Sequence, residues 1–341
     1  MDVPAALSAA ANSALNDLWR TSFTLPVDEA NLRAKAGISA EAELKLAHAR
    51  ADAIAKIQNS PDALNAEQLA FVSGGGHVGG GGGLNAPGGT MAYDDYSGFV
   101  KIFDGATLSG WNGEADVWSV EEGAIHSNNT PGHTTGQHHI HYVGPGYLVK
   151  DFDLKVEMKM TQGANGGIQY RSRLLAPAHG PGRSISDPAT IADPLGKPLP
   201  PGVTNLASAT AAGITGGNPW QVSGYQFDMD SGNGYTGQLY EGQGRSIVTG
   251  PGEMVQLFPS GLRFVLGRVA EPASQYVKPL GEWNQIEIIA RGNTLIHMMN
   301  GHVMSITVDD DPVRHALQGI ISLQLEAGGQ IWYRNVWLKH L

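Results

Sequence analysis

The feature that most restricts the fold is a series of short hydrophobic runs, separated by Gly, Pro and Asn, that extends from residue 98 to the C-terminus. Hydrophobic and polar residues alternate within several of these runs; Leu154 and Val156, for example, alternate with Lys155 and Glu157. An alternation with a period of two is typical of strands that bury one face. Many short strands with few helices predict an all-β sandwich.

The predicted strands cover residues 116–123, 146–160, 166–173, 225–230, 282–291, 294–300, 302–310, 319–326 and 331–341. The chain has 46 glycines in 341 residues and only 16% charged residues, which fits a turn-rich β protein better than a helical bundle. The segment 174–220, rich in Pro, Gly and Ala, breaks the rhythm and is predicted to be a long insertion. Insertions of that length tend to be either functional or mobile.

The first 72 residues show a helical pattern instead. One predicted helix spans residues 6–19, a second begins at Ser39 and stops before Pro61, and a third covers 61–71. In the second helix Ser39 is a typical N-cap and the first turn is acidic. Its hydrophobic residues are Leu44, Leu46, Ala47, Ile54 and Ile57. We expect these helices to pack on or cap the sandwich; substrate contact and docking to a partner are the alternatives.

Residues 73–92 are dominated by glycine and predict a flexible linker. The chain is therefore predicted to consist of a helical N-terminal extension (1–72), this linker (73–92) and a β-sandwich (93–341). No Lys-Ser or Lys-Thr pair follows the glycines, so the linker is not predicted to be a phosphate-binding loop, and no nucleotide cofactor is expected.

Charge and composition exclude further functions. The formal net charge of −10 disfavours binding to nucleic acid or to anionic lipid. The absence of cysteine removes disulfides, thiolate nucleophiles and zinc–thiolate sites. No run of eighteen hydrophobic residues is present, so no membrane span is expected. We expect a periplasmic or secreted protein if an export signal has been removed, and a cytoplasmic one otherwise.

The run 224–230 raises the question of function. On a strand, Tyr225 and Phe227 point to one side, whereas Gln226, Asp228 and Asp230 point to the other. A line of two acids and one amide indicates either an ordinary solvated face or a site for a sugar.

Histidines are concentrated in the segment 133–141. On a strand His139 and His141 would point the same way, as two ligands of one metal ion must. Two interpretations stay open: a site for one divalent metal ion, and a polar rim with unrelated histidines. A calcium loop starting at Asp228 is not predicted, because Gly232 and Leu239 stand where ligands belong.

Several blocks of the sequence occur in the order seen in a known family. They include VKIFDGATLSGWNG (100–113), NGGIQYRSR (165–173), SGYQFDMD (223–230), GEWNQIEIIARGN (281–293) and WYRNVWLKHL (332–341). Through these blocks residues 98–341 resemble the 3-keto-disaccharide hydrolase domain family. The resemblance implies a concanavalin-like jelly roll with ligands on the concave face, and action on glycosides oxidised at C3. Two motifs differ from the family pattern: NSGI is NGGI at 165–168, and LQLH ends here in Glu326.

Such a glycoside can be cleaved by elimination and hydration. A base removes the C2 proton, which the C3 ketone acidifies, the enolate expels the aglycone from C1, and water adds to the enone. The site needs a base, a donor at the C3 oxygen and an acid for the leaving group. We predict Asp228 or Glu241 as the base, with His297 as the competing candidate. The predicted substrate-binding residues are Glu157, Gln169, Arg171, Gln226, Asp230, Tyr240, Arg245, Gln324 and Glu326.

Four of these residues have a structural alternative. Glu157 and Arg171 are equally well explained by cross-strand ion pairs, Asp230 by a turn and His297 by a satisfied core position. Three functions follow: a hydrolase that acts on a small 3-keto-glycoside, beside a separate C3 oxidase or dehydrogenase; a non-catalytic carbohydrate-binding module; and a domain whose helical arm docks to a partner. Clustered acids favour the first, because neutral sugars are bound mainly by amides and aromatics.

Overall fold

A computed structural model describes residues 93–128, 137–175, 195, 199–214, 218–258, 262–269 and 273–341. The predicted N-terminal helices, the linker and part of the predicted insertion lie outside the described residues. The described part contains one short α-helix, α1 (Leu206–Ala211), which has Asn205 as its N-cap, and one short 3₁₀ helix (Ala273–Tyr276). None of the helices in this part is both long and apolar enough to cross a membrane.

The strands, in chain order, are β1 (Val100–Lys101), β2 (Trp111–Gly113), β3 (Trp118–Glu121), β4 (Ala124–Asn128), β5 (His138–Tyr142), β6 (Phe152–Met160), β7 (Asn165–Leu174), β8 (Val222–Asp230), β9 (Leu239–Gly242), β10 (Ser246–Thr249), β11 (Glu253–Leu257), β12 (Arg263–Arg268), β13 (Asn284–Arg291), β14 (Thr294–Met299), β15 (His302–Asp309), β16 (Ile320–Ala327) and β17 (Gln330–His340).

The strands form two sheets. The larger sheet has the order β12–β11–β15–β14–β13–β6–β17–β4–β3, with β1 added beside β17, and the smaller has the order β10–β9–β8–β7–β16–β5–β2. Among the described pairs, only β11 with β15 is parallel. The spatial order departs widely from the chain order, as it does in a jelly roll. The predicted all-β jelly-roll sandwich is therefore confirmed.

The main hydrophobic core lies between the two sheets. Leu154 and Val156 of β6 belong to the same hydrophobic cluster as Ile168 of β7 and Phe227 of β8, and all four are completely buried. Each of these residues alternates along its strand with a side chain on the outer face of its sheet. The outer faces are consequently where polar chemistry can be placed.

The larger sheet is also hydrophobic on part of its outer face. In β14, Leu295 and Met299 belong to the core between the sheets, whereas Ile296 and Met298 point outward. The outward residues form a second buried cluster, here termed the outer patch: Met254, Leu266, Ile289, Ile296, Met298, Val303, Ile306 and Val308. A strand that is hydrophobic on both sides is typical of a sheet covered on both faces.

Candidate active site

Five neighbouring strands of the smaller sheet carry polar side chains on its outer face. The register brings them into two rows across the sheet. One row contains His141, Ser322, Gln169, Gln226 and Tyr240, and the other contains His139, Gln324, Gly167 and Asp228. We term these nine positions the polar face. Their neighbours along each strand, such as Ile168 and Phe227, fill the core, so the alternation of the sequence alone creates this face.

Side-chain hydrogen bonds connect the polar face. The amide of Gln226 is at the centre: its Nε2 donates to Oε1 of Gln324 (2.7 Å) and to Oδ1 of Asp228 (3.2 Å). Its Oε1 accepts from Nε2 of Gln169 (3.1 Å), which also donates to Nε2 of His139 (3.0 Å). These side chains are between 0% and 6% exposed. A buried network of this kind holds each group in one orientation.

Gly167 allows its neighbours in the middle of the network to approach closely. It lies between Gln324 and Asp228 in the register, and it contributes no side chain. A Cβ at this position would be 2.1 Å from the carbonyl oxygen of Phe227 and 3.0 Å from Nε2 of Gln226. The close approach of neighbouring groups therefore excludes a larger residue at this position.

Asp228 is the one carboxylate at the centre of the polar face. Burial raises the pKa of this carboxyl to about 7, although a hydrogen bond from Nε2 of Gln238 to Oδ2 (2.8 Å) acts in the opposite direction. A carboxyl with a pKa near neutrality takes up and releases protons readily, as a general base must.

Nδ1 of His139 and Oε1 of Gln169, both buried on the polar face, have no hydrogen-bond partner in the described part of the chain. Burial lowers the pKa of His139 well below its usual value, with His141 and His138 adding to the effect, so the ring is neutral. Because Gln169 donates to Nε2, the proton of His139 belongs on Nδ1. The pair thus offers one donor and one acceptor to a polar ligand.

Seven predicted substrate or base residues lie on or at the edge of the polar face: Gln169, Gln226, Asp228, Asp230, Tyr240, Gln324 and Glu326. Tyr240 is half-buried beside Gln226, in position to contact a ligand. Glu326 accepts from Nδ2 of Asn165 (2.8 Å). Asp230 instead follows its structural alternative, because its carboxylate accepts from the backbone N–H groups of the next turn, including that of Tyr235 (2.7 Å).

Glu241 and Arg245 lie on the opposite side of the smaller sheet. Glu241 pairs with Tyr225 in the register, so it shares the core-facing side of β9. Arg245 binds the carboxylates of Glu241 and Asp309, and the hydroxyl of Tyr225 donates to Asp309 (2.5 Å). The prediction that Glu241 and Arg245 face the same ligand as Asp228 is wrong, because adjacent residues of a strand point to opposite faces.

Arg171 is displaced by a β-bulge. The pairing of β7 with β8 shifts between Tyr170 and Arg173, and Arg171 has a φ of +45°. The bulge breaks the alternation, so Arg171 does not share the face of Gln169 as the sequence predicted. Its guanidinium donates to three backbone carbonyls, such as that of Gly292 (2.6 Å), and to the Asp151 carboxylate (3.2 Å). Arg171 therefore connects the ends of several strands by hydrogen bonds.

His297 is a satisfied core residue. Its Nδ1 donates to the carbonyl of Gln238 (3.1 Å), and its Nε2 accepts from the hydroxyl of Tyr170 (2.8 Å). Burial lowers the pKa of His297 to about 3. The ring lies between the sheets against Phe227, with both nitrogens engaged, so the prediction of His297 as a base at this face is wrong.

Glu157 lies on the wrong sheet for a substrate ligand. It points outward as its period predicts, but β6 belongs to the larger sheet, where Glu157 accepts from Nε of Arg334 (2.7 Å). The whole sandwich separates it from the polar face. The alternative interpretation, a cross-strand ion pair, describes it correctly.

His139 and His141 lie on the same face of β5, as expected. The described residues contain no group of three His, Cys, Asp or Glu side chains able to hold a metal ion. Nε2 of His139 is also engaged with the amide of Gln169. The donor set visible here does not fit a divalent ion, and a metal site at these histidines stays a prediction that activity after exhaustive chelation would test.

Two residues of the candidate site are absent from the sequence-based prediction, Gln238 and Gly167. Gln238 shares the period of Tyr240, so alternation extended by two residues would have found it. Gly167 has no side chain to suggest a role, and only the observed close approach of Phe227 reveals it.

Comparison with known proteins supports a family assignment. A family model described as a 3-keto-alpha-glucoside-1,2-lyase-like domain matches residues 98–339. A 3-keto-disaccharide hydrolase of Bacteroides thetaiotaomicron is 22% identical over 278 residues, which is 72% of this chain and 80% of the relative.

Solved structures with similar chain paths include a candidate glycosyl hydrolase from Parabacteroides distasonis, at 17% identity and a TM-score of 0.41, with 71% of this chain and 99% of the other covered. A protein of unknown function with a galectin-like fold from Bacillus subtilis is 11% identical, with a TM-score of 0.41 and coverage of 71% and 94%.

Proposed function

Because the chain belongs to the 3-keto-alpha-glucoside-1,2-lyase-like domain family, we propose that it cleaves glycosides whose sugar is oxidised at C3, with Asp228 as the base. The observation that carries the proposal is the environment of this carboxyl. It is 6% exposed, its pKa is raised to about 7 by burial, and amides surround it on the polar face. The relative from Bacteroides, a 3-keto-disaccharide hydrolase, supports the same substrate class.

The reaction begins with proton transfer from C2 to the Asp228 carboxylate. The electron pair of the C2–H bond moves towards the C3 ketone and forms an enolate. The enolate then re-forms the ketone, a C1–C2 double bond is created, and the bond from C1 to the aglycone oxygen breaks. The departing oxygen takes the proton that Asp228 has just acquired, which a carboxyl with a pKa near 7 can accept and return.

Hydration reverses the same proton movements. Water adds to C1 of the enone while Asp228 takes one of its protons, and that proton passes to C2. The products are a free 3-keto sugar and the aglycone alcohol, and Asp228 returns to its ionised state. The chemistry differs from the two-carboxylate displacement of ordinary glycosidases, so one central carboxylate is sufficient.

The amides of the polar face bind and orient the sugar in this proposal. Oε1 of Gln324 accepts from Gln226, which leaves its Nε2 as a donor for the C3 oxygen, where enolate charge develops. Nδ1 of His139 and Oε1 of Gln169 bind hydroxyl groups, and the ring of Tyr240 contacts the sugar face. A separate oxidase or dehydrogenase must supply the C3 ketone, since the proposed steps contain no oxidation.

The test is release of free sugar from a 3-keto-glycoside such as 3-keto-lactose or 3-keto-trehalose. Asp228→Asn should lower turnover by about 10²–10⁴-fold, the usual contribution of a general base. Asp230→Asn makes the same chemical change two residues along β8, on a carboxylate that caps a turn, and should retain turnover. Glu241→Gln makes the same change to a carboxylate on the opposite side of the sheet and should likewise retain turnover. Full turnover by Asp228→Asn would remove Asp228 from the role of base.

A carbohydrate-binding module is the second candidate. The three glutamines and Tyr240 on the polar face are the residue types that bind neutral sugars, and they favour this reading without any chemistry. Saturable binding of the 3-keto-glycoside, with no sugar released over hours, would support the module and contradict the hydrolase.

A further inference from the structure

The outer patch of the larger sheet is buried, although it faces away from the sandwich core. Ile296, Met298 and Ile306 are each 0–1% exposed. A side chain on an uncovered sheet face would be largely open to water, so a covering layer must lie on this patch. Within the described part, the one partly buried hydrophobic residue that packs against the patch is Val269.

The start of the described chain points to the source of that layer. Residues 93–99 lie across the outer face of the larger sheet, where Nζ of Lys155 donates to the carbonyls of Tyr93 (2.9 Å) and Asp95 (2.6 Å). The ring of Tyr96 packs on Trp337 of β17, at a centroid distance of 4.8 Å. Read backwards from Tyr96 to Tyr93, the chain therefore runs from β17 onto β6.

The next strands in that direction carry the outer patch. In the register, Lys155 of β6 pairs with Glu287 of β13, Glu287 with Met298 of β14, and Met298 with Val303 of β15. Strands are spaced about 4.8 Å apart, so Met298 lies about 10 Å from the position that Tyr93 covers. Tyr93 itself is only 5% exposed, which extends the cover beyond the first described residue.

The sequence before residue 93 contains a segment with the required shape. In the predicted helix that begins at Ser39, Leu44, Ala47, Ala51 and Ile54 recur at spacings of three and four residues and form one hydrophobic stripe. The chain between this helix and Tyr93 contains the predicted helix 61–71 and the glycine-rich linker 73–92, and the linker alone spans about 25 Å as a flexible chain. The helix can therefore reach the patch with slack.

We propose that the amphipathic segment 39–57 of this same chain docks its hydrophobic stripe on the outer patch. The helical extension is then part of the sandwich, and it lies on the sheet opposite to the polar face. A second copy of the chain and a foreign partner are the competing occupants. These alternatives predict a different dependence of the burial of the outer patch on protein concentration and on substitutions in the hydrophobic stripe.

The absence of cysteine from the chain permits a direct test on the full-length protein. Met298→Cys places a thiol in the outer patch, and Met299→Cys places one in the core between the sheets, one residue away. The rate of reaction with a maleimide is measured in each, first in an otherwise unchanged chain and then together with Leu44→Asp/Ile54→Asp. The matched control is Lys45→Asp/Lys56→Asp, which adds the same carboxylates to the polar side of the helix.

Loss of docking should raise the rate at Met298→Cys by about tenfold or more, because exposure then requires only local opening, and should leave Met299→Cys slow. The control pair should change neither rate. If both thiols accelerate together, the sandwich itself has been destabilised, and the milder pair Leu44→Ala/Ile54→Ala decides by the same two criteria. An unchanged rate at Met298→Cys overturns the proposal, and a rate that rises on dilution assigns the patch to a second copy.

Discussion

The hydrogen bond from Gln238 to Asp228 allows the most direct test of Asp228 as the candidate base. Gln238 is 2% exposed, and its Nε2 lies 2.8 Å from Oδ2 of Asp228. The bond stabilises the ionised carboxylate and so lowers a pKa that burial raises to about 7. Gln238→Leu removes the donor and keeps the site buried. The carboxylate should therefore become harder to ionise.

The size of the effect follows from the bond type. A hydrogen bond to a charged group contributes about 1.5–3 kcal/mol, and one pH unit corresponds to about 1.4 kcal/mol. The pKa of Asp228 should rise by about 1–2 units in the variant. Because the base works in its ionised form, the acid limb of kcat/KM for a 3-keto-glycoside should move from near pH 7 to higher pH by the same amount.

The control is a second buried glutamine that makes an equivalent bond far from the polar face. Gln256 of β11 donates from Nε2 to Oδ2 of Asp310 (2.7 Å). Gln256→Leu should lower the free energy of unfolding without moving the acid limb. A carboxyl ¹³C titration, with the Asp228 signal assigned by its loss in Asp228→Asn, measures the same pKa without substrate. An acid limb that stays in place in Gln238→Leu, or moves to lower pH, refutes the reasoning.

Three further perturbations test other parts of the structure. Because the pKa of Asp228 is raised in the folded state, the free energy of unfolding should fall as pH rises from the unfolded pKa near 4 to about 7. Urea unfolding should show a loss of about 4 kcal/mol over that range, and Asp228→Asn should not show this loss. Arg245→Met leaves the buried carboxylates of Glu241 and Asp309 without their cation and should lower the free energy of unfolding by about 3–5 kcal/mol in denaturant titrations. Gly167→Ala forces a Cβ against the carbonyl of Phe227 and should cost about 1–3 kcal/mol together with turnover, whereas Gly267→Ala, with its nearest neighbour at 3.8 Å, should be tolerated.

Local alternation predicted the sides of strands well. Every predicted strand overlaps with a strand of the structure, and Gln226 and Asp228 share a face opposite to Tyr225, as their spacing requires. The same rule, applied fully, separates Tyr240 from Glu241, because adjacent residues of one strand cannot face the same ligand. The alternation itself therefore contradicts the prediction of Glu241 as a base that faces the same ligand as Tyr240.

Other features depend on information that a local period does not contain. The period of β6 places Glu157 on an outer face, but the choice of sheet depends on long-range pairing. The bulge at Arg171 inserts one residue, so the side chains that follow it in β7 point to the face opposite to the one that simple alternation predicts. In the run LIHMM, hydrophobic residues stand on both sides of the strand, so the pattern does not show which side His297 takes. Strands β9 and β10, of 4 residues each, are too short to reveal a period.

The two outer faces answer the same physical problem in opposite ways. On the larger sheet, a covered face is filled with hydrophobic side chains, and burial there stabilises the fold. On the smaller sheet, the buried outer face is polar, and burial costs free energy unless each group is paired. The glutamine network pairs most of them, but it leaves a carboxyl with a raised pKa and two atoms, on His139 and Gln169, without described partners. A protein under selection for stability alone would replace these groups with hydrophobic residues, so the residual cost is best explained by a ligand that completes the network.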